Sequence, residues 1–171
     1  AAYNSNLKRW SLSTLPIIPD QFQLTLIQND GVAKQFNTIK KLLRQAKDII
    51  CATDAGREGE LIFRYIYQMS GCEGRPFQRL WLSSLTEEAV RSAFQNLRSG
   101  RQYDPLFAAA RCRHQSDWIV GLNGTRNFTV RYGGSERILW SVGRVQTPVL
   151  AIIVNRDDQI RNFQPEPFWE L

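Results

Sequence analysis

Residues 48–67 read DIICATDAGREGELIFRYIY. A short, continuous apolar run is followed by a glycine-bearing acidic turn and then by a second apolar segment long enough for a helix. A run of the first kind fits a strand buried on both faces, which needs helices to cover it. Few folds accept that order of elements, and the α/β class is the main one. The unusual part is the charge. Asp54, Arg57, Glu58 and Glu60 crowd the entrance of a segment that is otherwise built for burial.

The alternation continues on both sides. LPIIPDQFQLTLI, residues 15–27, reads as a proline-bounded loop followed by a strand over 22–27, and NDG at 29–31 as a turn. Val32, Phe36, Ile39, Leu42, Leu43 and Ala46 recur at helical spacing with Lys and Arg opposite, which predicts a helix over 32–47. A second helix is expected from about Arg57 to Ser70, and FQRLWLSS, residues 77–84, is the next strand candidate. Thr86 suits an N-cap, with Glu87 and Glu88 in the first turn where the helix dipole favours acids. Val90, Ala93, Phe94 and Leu97 give that helix its apolar face, and RSGRQYDP ends it. Pro105 can occupy the first turn of a longer helix running to about Asn127. A glycine-rich connection, YGGSERILWSVG, leads to a last helix from about Val145 that carries Val149, Ile152, Ile153, Ile160 and Phe163. QPEPF stops it, and FWEL reads as the start of a strand. The expectation is an α/β fold with a mainly parallel sheet over residues 1–100, then a mainly helical part over 101–171.

Composition narrows the functions. The chain has 171 residues, 43% of them hydrophobic and 22% charged, which is ordinary for a globular core. No apolar run reaches membrane-spanning length, and the start, AAYNSNLKRW, has no export-signal pattern, so a cytoplasmic protein is expected. Cys51, Cys72 and Cys112 are widely spaced, and His114 is the only histidine, which argues against a structural zinc site. Reduced thiols are the default, and Cys51 reads as packing. The net charge is +6. All five lysines precede Cys51, and every later basic residue is arginine. Arg111, Arg113, Arg126, Arg131, Arg137 and Arg144 face only Asp117 and Glu136 in their stretch. The planar guanidinium suits phosphate and stacks on bases, so a nucleic-acid partner is indicated.

The acidic turn has its own chemistry. Asp54 falls at the C-terminal end of the DIICAT strand, where open α/β sheets place ligands. Gly56 permits a tight turn, and Glu58 then enters the first helical turn, so two hard oxygen donors can address one point. With water and a substrate phosphate completing the shell, that set suits Mg²⁺. A simpler reading is also open: Asp54 as helix cap, with Glu58 and Glu60 complementing the dipole.

Here the residues resemble a known family. ATDAGREGE is similar to the acidic motif of the TOPRIM domain in type IA DNA topoisomerases, in the bacterial topoisomerase III branch. RLWLSSLTEEAV resembles the segment closing that domain, and ARCRHQSDWIVGLNGTRNFT a helix of the next one. WSVGRVQTPVLAIIVNRDDQIRNFQPEPFWEL resembles the family's SxGRVQTP motif with its long following helix, and YNSNLKRWSLSTLPIIPDQF fits the insertion ahead of the acidic strand. The order agrees along essentially the whole chain.

The resemblance implies an enzyme that cuts one DNA strand, holds the 5′ phosphate on a tyrosine, passes another strand and reseals. Asp54 and Glu58 match the family's magnesium ligands, with Arg57 placed for phosphate and Glu60 supporting the helix start. Gly56 stands where the family usually has a second aspartate, which leaves one carboxylate fewer. Arg113, Asp117 and Arg126 fall on the DNA-facing helix. An Arg113–Asp117 ion pair is the plain alternative to Asp117 orienting an arginine against phosphate. Ser141, Gly143, Arg144, Val145 and Gln146 form the motif turn, at a helix start suited to phosphate. The partner is DNA, mainly single-stranded. The nucleophilic tyrosine and a first catalytic glutamate are expected outside these residues, so the chain reads as part of a larger enzyme, inactive alone. Tyr3, Tyr65, Tyr67, Tyr103 and Tyr132 lie outside the nucleophile's context. Trp81, Trp118, Trp140 and Trp169 read as core. A TOPRIM nuclease or primase, or a non-catalytic basic nucleic-acid-binding module, are the rival readings.

Overall fold

The computed structural model describes residues 5–134 and 138–170, with side chains from residue 7 onward. Tyr3 and Arg137 therefore lie outside the described residues. Five α-helices are found among them: α1 Asp30–Gln45, α2 Arg57–Met69, α3 Glu87–Gln95, α4 Asp104–Tyr132 and α5 Gln146–Arg161. Three two-residue strands, β1 Ile50–Cys51, β2 Gln78–Arg79 and β3 Arg98–Ser99, form one sheet in the order β1-β2-β3. No described helix is long and apolar enough to cross a membrane.

Two compact units emerge, one of residues 21–115 and one of residues 1–20 with 116–171, the boundary falling inside α4. In the first, the parallel β1–β2 pair is joined through α2, a strand–helix–strand crossover of the α/β kind. The sheet is mixed rather than mainly parallel, because β3 runs antiparallel to β2. Sequence pattern missed β3, since Arg98 and Ser99 are both exposed and carry no apolar alternation.

The core of this unit gathers Ile49, Tyr67 and Cys72, with Leu43, Ala46, Phe63 and Phe77 packed against it. α1 begins where Asn29 accepts a hydrogen bond from the Val32 amide at 3.1 Å, so the expected NDG turn is the helix cap. Its stripe is narrower than the spacing suggested: Phe36, Ile39, Leu43 and Ala46 are half-buried, whereas Val32 and Leu42 are exposed. The last carbonyls of α1 have no partner within the helix. Arg75 supplies one, its guanidinium reaching the carbonyls of Leu43 and Ala46, while Tyr67 Oη donates to the Arg75 carbonyl at 2.5 Å. α3 starts as expected, with Thr86 accepting from the Ala89 amide.

Two strand expectations fail. Residues 22–27 and 168–170 join no ladder. Over 22–27, Phe22 and Leu24 are half-buried and their neighbours exposed, so the period-two pattern is real but has no strand to pair with.

In the second unit, the N-terminal residues pack on the later turns of α4. Asn123 grips Ile17 at both backbone groups, accepting from its amide at 2.6 Å and donating to its carbonyl at 2.9 Å. α4 outruns its expected end near Asn127 and stops at Tyr132, two residues before Gly134, whose φ of +54° suits glycine. The apolar residues of α5 are exposed among the described residues, Ile152, Ile153 and Ile160 by more than half. Trp140 and Trp169 are likewise exposed rather than core, Trp169 at 93%. Trp81 is packed, stacking on Tyr103 with ring centroids 5.0 Å apart.

Candidate functional site

The acidic turn belongs to the unit of residues 21–115. Asp54 follows β1 by three residues, and Gly56 is the N-cap of α2 with no side-chain cap bond. Asp54 is therefore not the cap that the simpler reading required. Its side chain, with those of Arg57 and Glu58, is exposed. Arg57 makes no ion pair among the described residues. Glu58 is approached by Arg113 from α4, with Nη1 3.7 Å from Oε1, a Coulombic contact rather than a hydrogen bond. The Arg113–Asp117 pair that helical spacing allowed does not form; Arg113 is paired across the unit instead.

The backbone of the turn is held tightly. At Gly59, an added Cβ would sit 2.2 Å from the Asp54 carbonyl oxygen and 2.8 Å from its nitrogen, so α2 approaches the turn more closely than any side chain permits. Thr53 Oγ1 donates to the Gly59 carbonyl at 2.8 Å, and the Gly56 amide to the Asp54 carbonyl at 2.9 Å. Gly56 is different: its φ of −179° is available to any residue, and nothing lies within 4 Å of a Cβ built there.

Glu60 does more than support the helix start. It is fully buried, accepting from Arg64 Nε at 2.8 Å and from the equally buried Arg79 Nε at 3.0 Å. Arg79 donates in turn to the carbonyls of Cys51, Thr53, Asp54 and Leu80, and its guanidinium lies 5.2 Å from the centroid of the Trp81 ring. Arg64 continues outward to the Gly100 carbonyl and the Asp104 carboxylate, each within 3 Å. Arg79 was missed in sequence. The available signal was a lone charge inside the apolar run of FQRLWL, matched by a carboxylate inside α2's own apolar stretch. Burial also pushes the Cys51 thiol up, which keeps it protonated and inert.

For a divalent ion, the turn offers Asp54 and Glu58, two exposed hard-oxygen donors. Among the described residues, no group of three or more Asp, Glu, His or Cys side chains is placed to hold a metal. The donor set fits Mg²⁺ in chemistry, as an open site whose shell water would complete, and not as a closed cage.

The glycine–arginine turn belongs to the other unit. Arg144 Nε lies 3.0 Å from each oxygen of Asp117. Residues 27 positions apart are thus brought together, and the arginine that Asp117 pairs with is Arg144. The turn is seated on α4: the Val142 amide donates to Thr125 Oγ1 at 2.9 Å, and Gly124 leaves room for the Val142 side chain, which would lie 2.9 Å from an added Cβ. Gly143 and Thr147 close a local ring, the Gly143 amide donating to Thr147 Oγ1 at 3.0 Å and the Thr147 amide to the Gly143 carbonyl at 3.1 Å. Ser141, Arg144, Val145 and Gln146 are exposed there, with Val145 capping α5. Arg126 sits elsewhere. It is 8% exposed, donates to the Leu7 carbonyl at 2.8 Å and lies 5.2 Å from the Trp10 ring centroid, which ties the N-terminal residues to α4. His114 lies edge-on to Tyr65 at 5.8 Å.

Residues 11–85 match the family model described as Toprim domain, and residues 101–171 the one described as DNA topoisomerase. A DNA topoisomerase 3 of Bacillus cereus is 44% identical over 172 residues, covering 99% of this chain and 23% of the relative. A putative DNA topoisomerase 3 of Staphylococcus aureus is 44% identical over 171 residues with the same coverage, and a DNA topoisomerase 3 of Bacillus anthracis agrees to the same degree. The chain thus spans about a quarter of the length of the curated relatives it matches. Both matched segments, in this order, together with 44% identity along nearly every residue, make the chain similar to about a quarter of a bacterial DNA topoisomerase 3.

Proposed function

We propose that the chain is the acidic-turn and DNA-holding part of a type IA topoisomerase, which passes DNA through a transient single-strand break held by a 5′-phosphotyrosine link. The observation that carries this reading is the exposed Asp54–Glu58 turn at the end of a parallel strand, in a chain 44% identical to proteins named DNA topoisomerase 3. The covalent step is assigned to a tyrosine outside these residues. The functional division is set near residue 100, Asp54, Arg57 and Glu58 serving the reaction centre and the helical part holding DNA.

Mg²⁺ would be held by Asp54 and Glu58, and when bound it neutralises phosphate charge during resealing. Arg57 and Arg113 supply fixed positive charge beside that turn. Arg113 neutralises Glu58 at 3.7 Å, and its guanidinium would be available to phosphate if Glu58 held the ion. In the other unit, Asp117 holds Arg144 in one orientation, and Ser141, Gly143, Val145 and Gln146 present a narrow, polar helix start to a strand's backbone. Contacts to phosphate carry no base information, so single-stranded DNA is taken with little sequence preference.

The test is relaxation of negatively supercoiled plasmid by a longer protein containing this chain, with trapping of the protein–DNA adduct. Magnesium-dependent nicking without an adduct would favour a TOPRIM nuclease; binding without strand cutting would favour a plain nucleic-acid-binding module.

The chain itself is expected to bind single-stranded DNA less tightly as salt rises, through counterion release. Arg144→Ala should weaken that binding about fivefold, the scale of one charge-assisted bond of about 1 kcal/mol. Arg137→Ala should weaken it less. Fluorescence anisotropy at several salt concentrations reads both effects, and salt-independent binding would contradict the phosphate assignment.

Gly56→Asp should fold normally, because the backbone is already extended and the space is open. A third carboxylate is expected to tighten Mg²⁺ by about tenfold, since oxygen charge count sets such affinities. Calorimetric titration with MgCl₂ checks this, and an unchanged affinity would move the ion away from residues 54–58.

A further inference from the structure

We infer that Arg79 is a positioning residue for the magnesium turn, with Glu60 as the group that holds it. The inference rests on the reading of Asp54 and Glu58 as the magnesium ligands. Arg79 does not touch the ion position; it acts through the backbone. Its three nitrogens together reach five acceptors drawn from three parts of the chain. Nε meets Glu60 at 3.0 Å, Nη1 meets the carbonyls of Cys51, Thr53 and Leu80 at 3.1, 2.7 and 2.8 Å, and Nη2 meets the Asp54 carbonyl at 2.6 Å. Cys51, Thr53 and Asp54 form the path from the end of β1 into the acidic turn. The Cys51 carbonyl keeps its ladder bond from the Leu80 amide at 2.9 Å, whereas those of Thr53 and Asp54 lie beyond the ladder, where a carbonyl needs other partners. One rigid cation contacts all three.

Charge explains why the residue is arginine. A lysine offers three donors from one point, whereas the guanidinium fork addresses acceptors spread around its plane. A buried guanidinium needs a counter-charge. Glu60 provides it from α2, two residues after Glu58, and Arg64 fixes the second Glu60 oxygen at 2.8 Å. The same contact network therefore ties the backbone of Asp54 to the helix that carries Glu58. The two proposed ligands stand on separate elements, and Arg79 with Glu60 sets the distance between them.

The experiment compares Mg²⁺ titration, followed by calorimetry with MgCl₂ alone, against urea unfolding for the parent chain and two variants. Arg79→Lys keeps the charge but cannot serve all five acceptors. The double variant Arg79→Met/Glu60→Leu replaces the ion pair by apolar side chains, an exchange that buried pairs often tolerate without loss of stability. At least one variant should stay folded and bind Mg²⁺ about tenfold or more weakly than the parent, the loss typical of removing an orienting group around a metal site. A folded variant with parental affinity would overturn the inference and leave the magnesium reading standing. Unfolding of both variants would also overturn it, assigning the pair to stability alone. A parent chain that binds no Mg²⁺ would overturn the magnesium reading, and this inference with it.

Discussion

Glu60→Ala should destabilise the unit of residues 21–115 by about 3–5 kcal/mol, the usual cost of removing one partner from a buried ion pair. The reason is what remains rather than what is lost. Arg79 and Glu60 are both fully buried, and their side chains have no route to water. Without the carboxylate, Arg79 keeps its carbonyl partners but no counter-charge, and Arg64 loses the group that turns it inward. Folded domains are stable by only about 5–15 kcal/mol, so this single change removes a large part of the total. Urea unfolding at constant m-value reads it directly. Glu87→Ala is the control. That residue also forms an i,i+4 pair, with Arg91 at 2.8 Å, but both side chains are at least 75% exposed. Such pairs contribute little, so its midpoint should barely move. Equal effects for Glu60 and Glu87 would mean that the buried network carries no special energy.

The second large effect is expected in catalysis. In a longer, active protein containing this chain, Asp54→Asn should slow resealing by about a hundredfold or more, the scale seen when one charge-placing group is removed from a reaction centre. Cleavage should change much less, because bond breaking by a tyrosine does not require this carboxylate. Cleaved intermediate would then accumulate while relaxed product falls, and more Mg²⁺ would be needed to restore turnover. The substitution is nearly isosteric. It leaves the Asp54 carbonyl, the group that Arg79 grips, in place, so misfolding does not confuse the result. Normal resealing at the usual magnesium concentration would remove Asp54 from the reaction.

Local elements were readable in the sequence because their causes are local. Thr86 caps its helix through a hydrogen bond spanning three residues, and the α2 pattern needs only its own spacing. β1 and β2 were visible as apolar runs. β3 was not, since a two-residue strand exists only through its partner. The same distinction runs through the site. Asp54, Glu58 and Arg144 stand in recognisable turns. The pairings Arg113 with Glu58, Arg144 with Asp117 and Arg79 with Glu60 join residues 55, 27 and 19 positions apart. No window of the sequence contains the reason for them. Spacing even suggested a wrong partner for Arg113, because Asp117 is a helical neighbour but lies toward Arg144. Exposed α5 shows the converse: its apolar positions were legible, yet an amphipathic pattern cannot say what it packs against.

The seat of the glycine–arginine turn on α4 has an entropic consequence. A loop that closes around a strand normally loses its own freedom on binding, and that loss subtracts from affinity. Here Val142 is already bonded to Thr125, packed against Gly124, and followed by the closed ring of Gly143 and Thr147. Arg144 is held by both oxygens of Asp117 before any strand arrives. The ordering is done once, when the chain folds. On the proposed reading, each new strand meets a surface of fixed shape, and its release rate is set by the contacts alone.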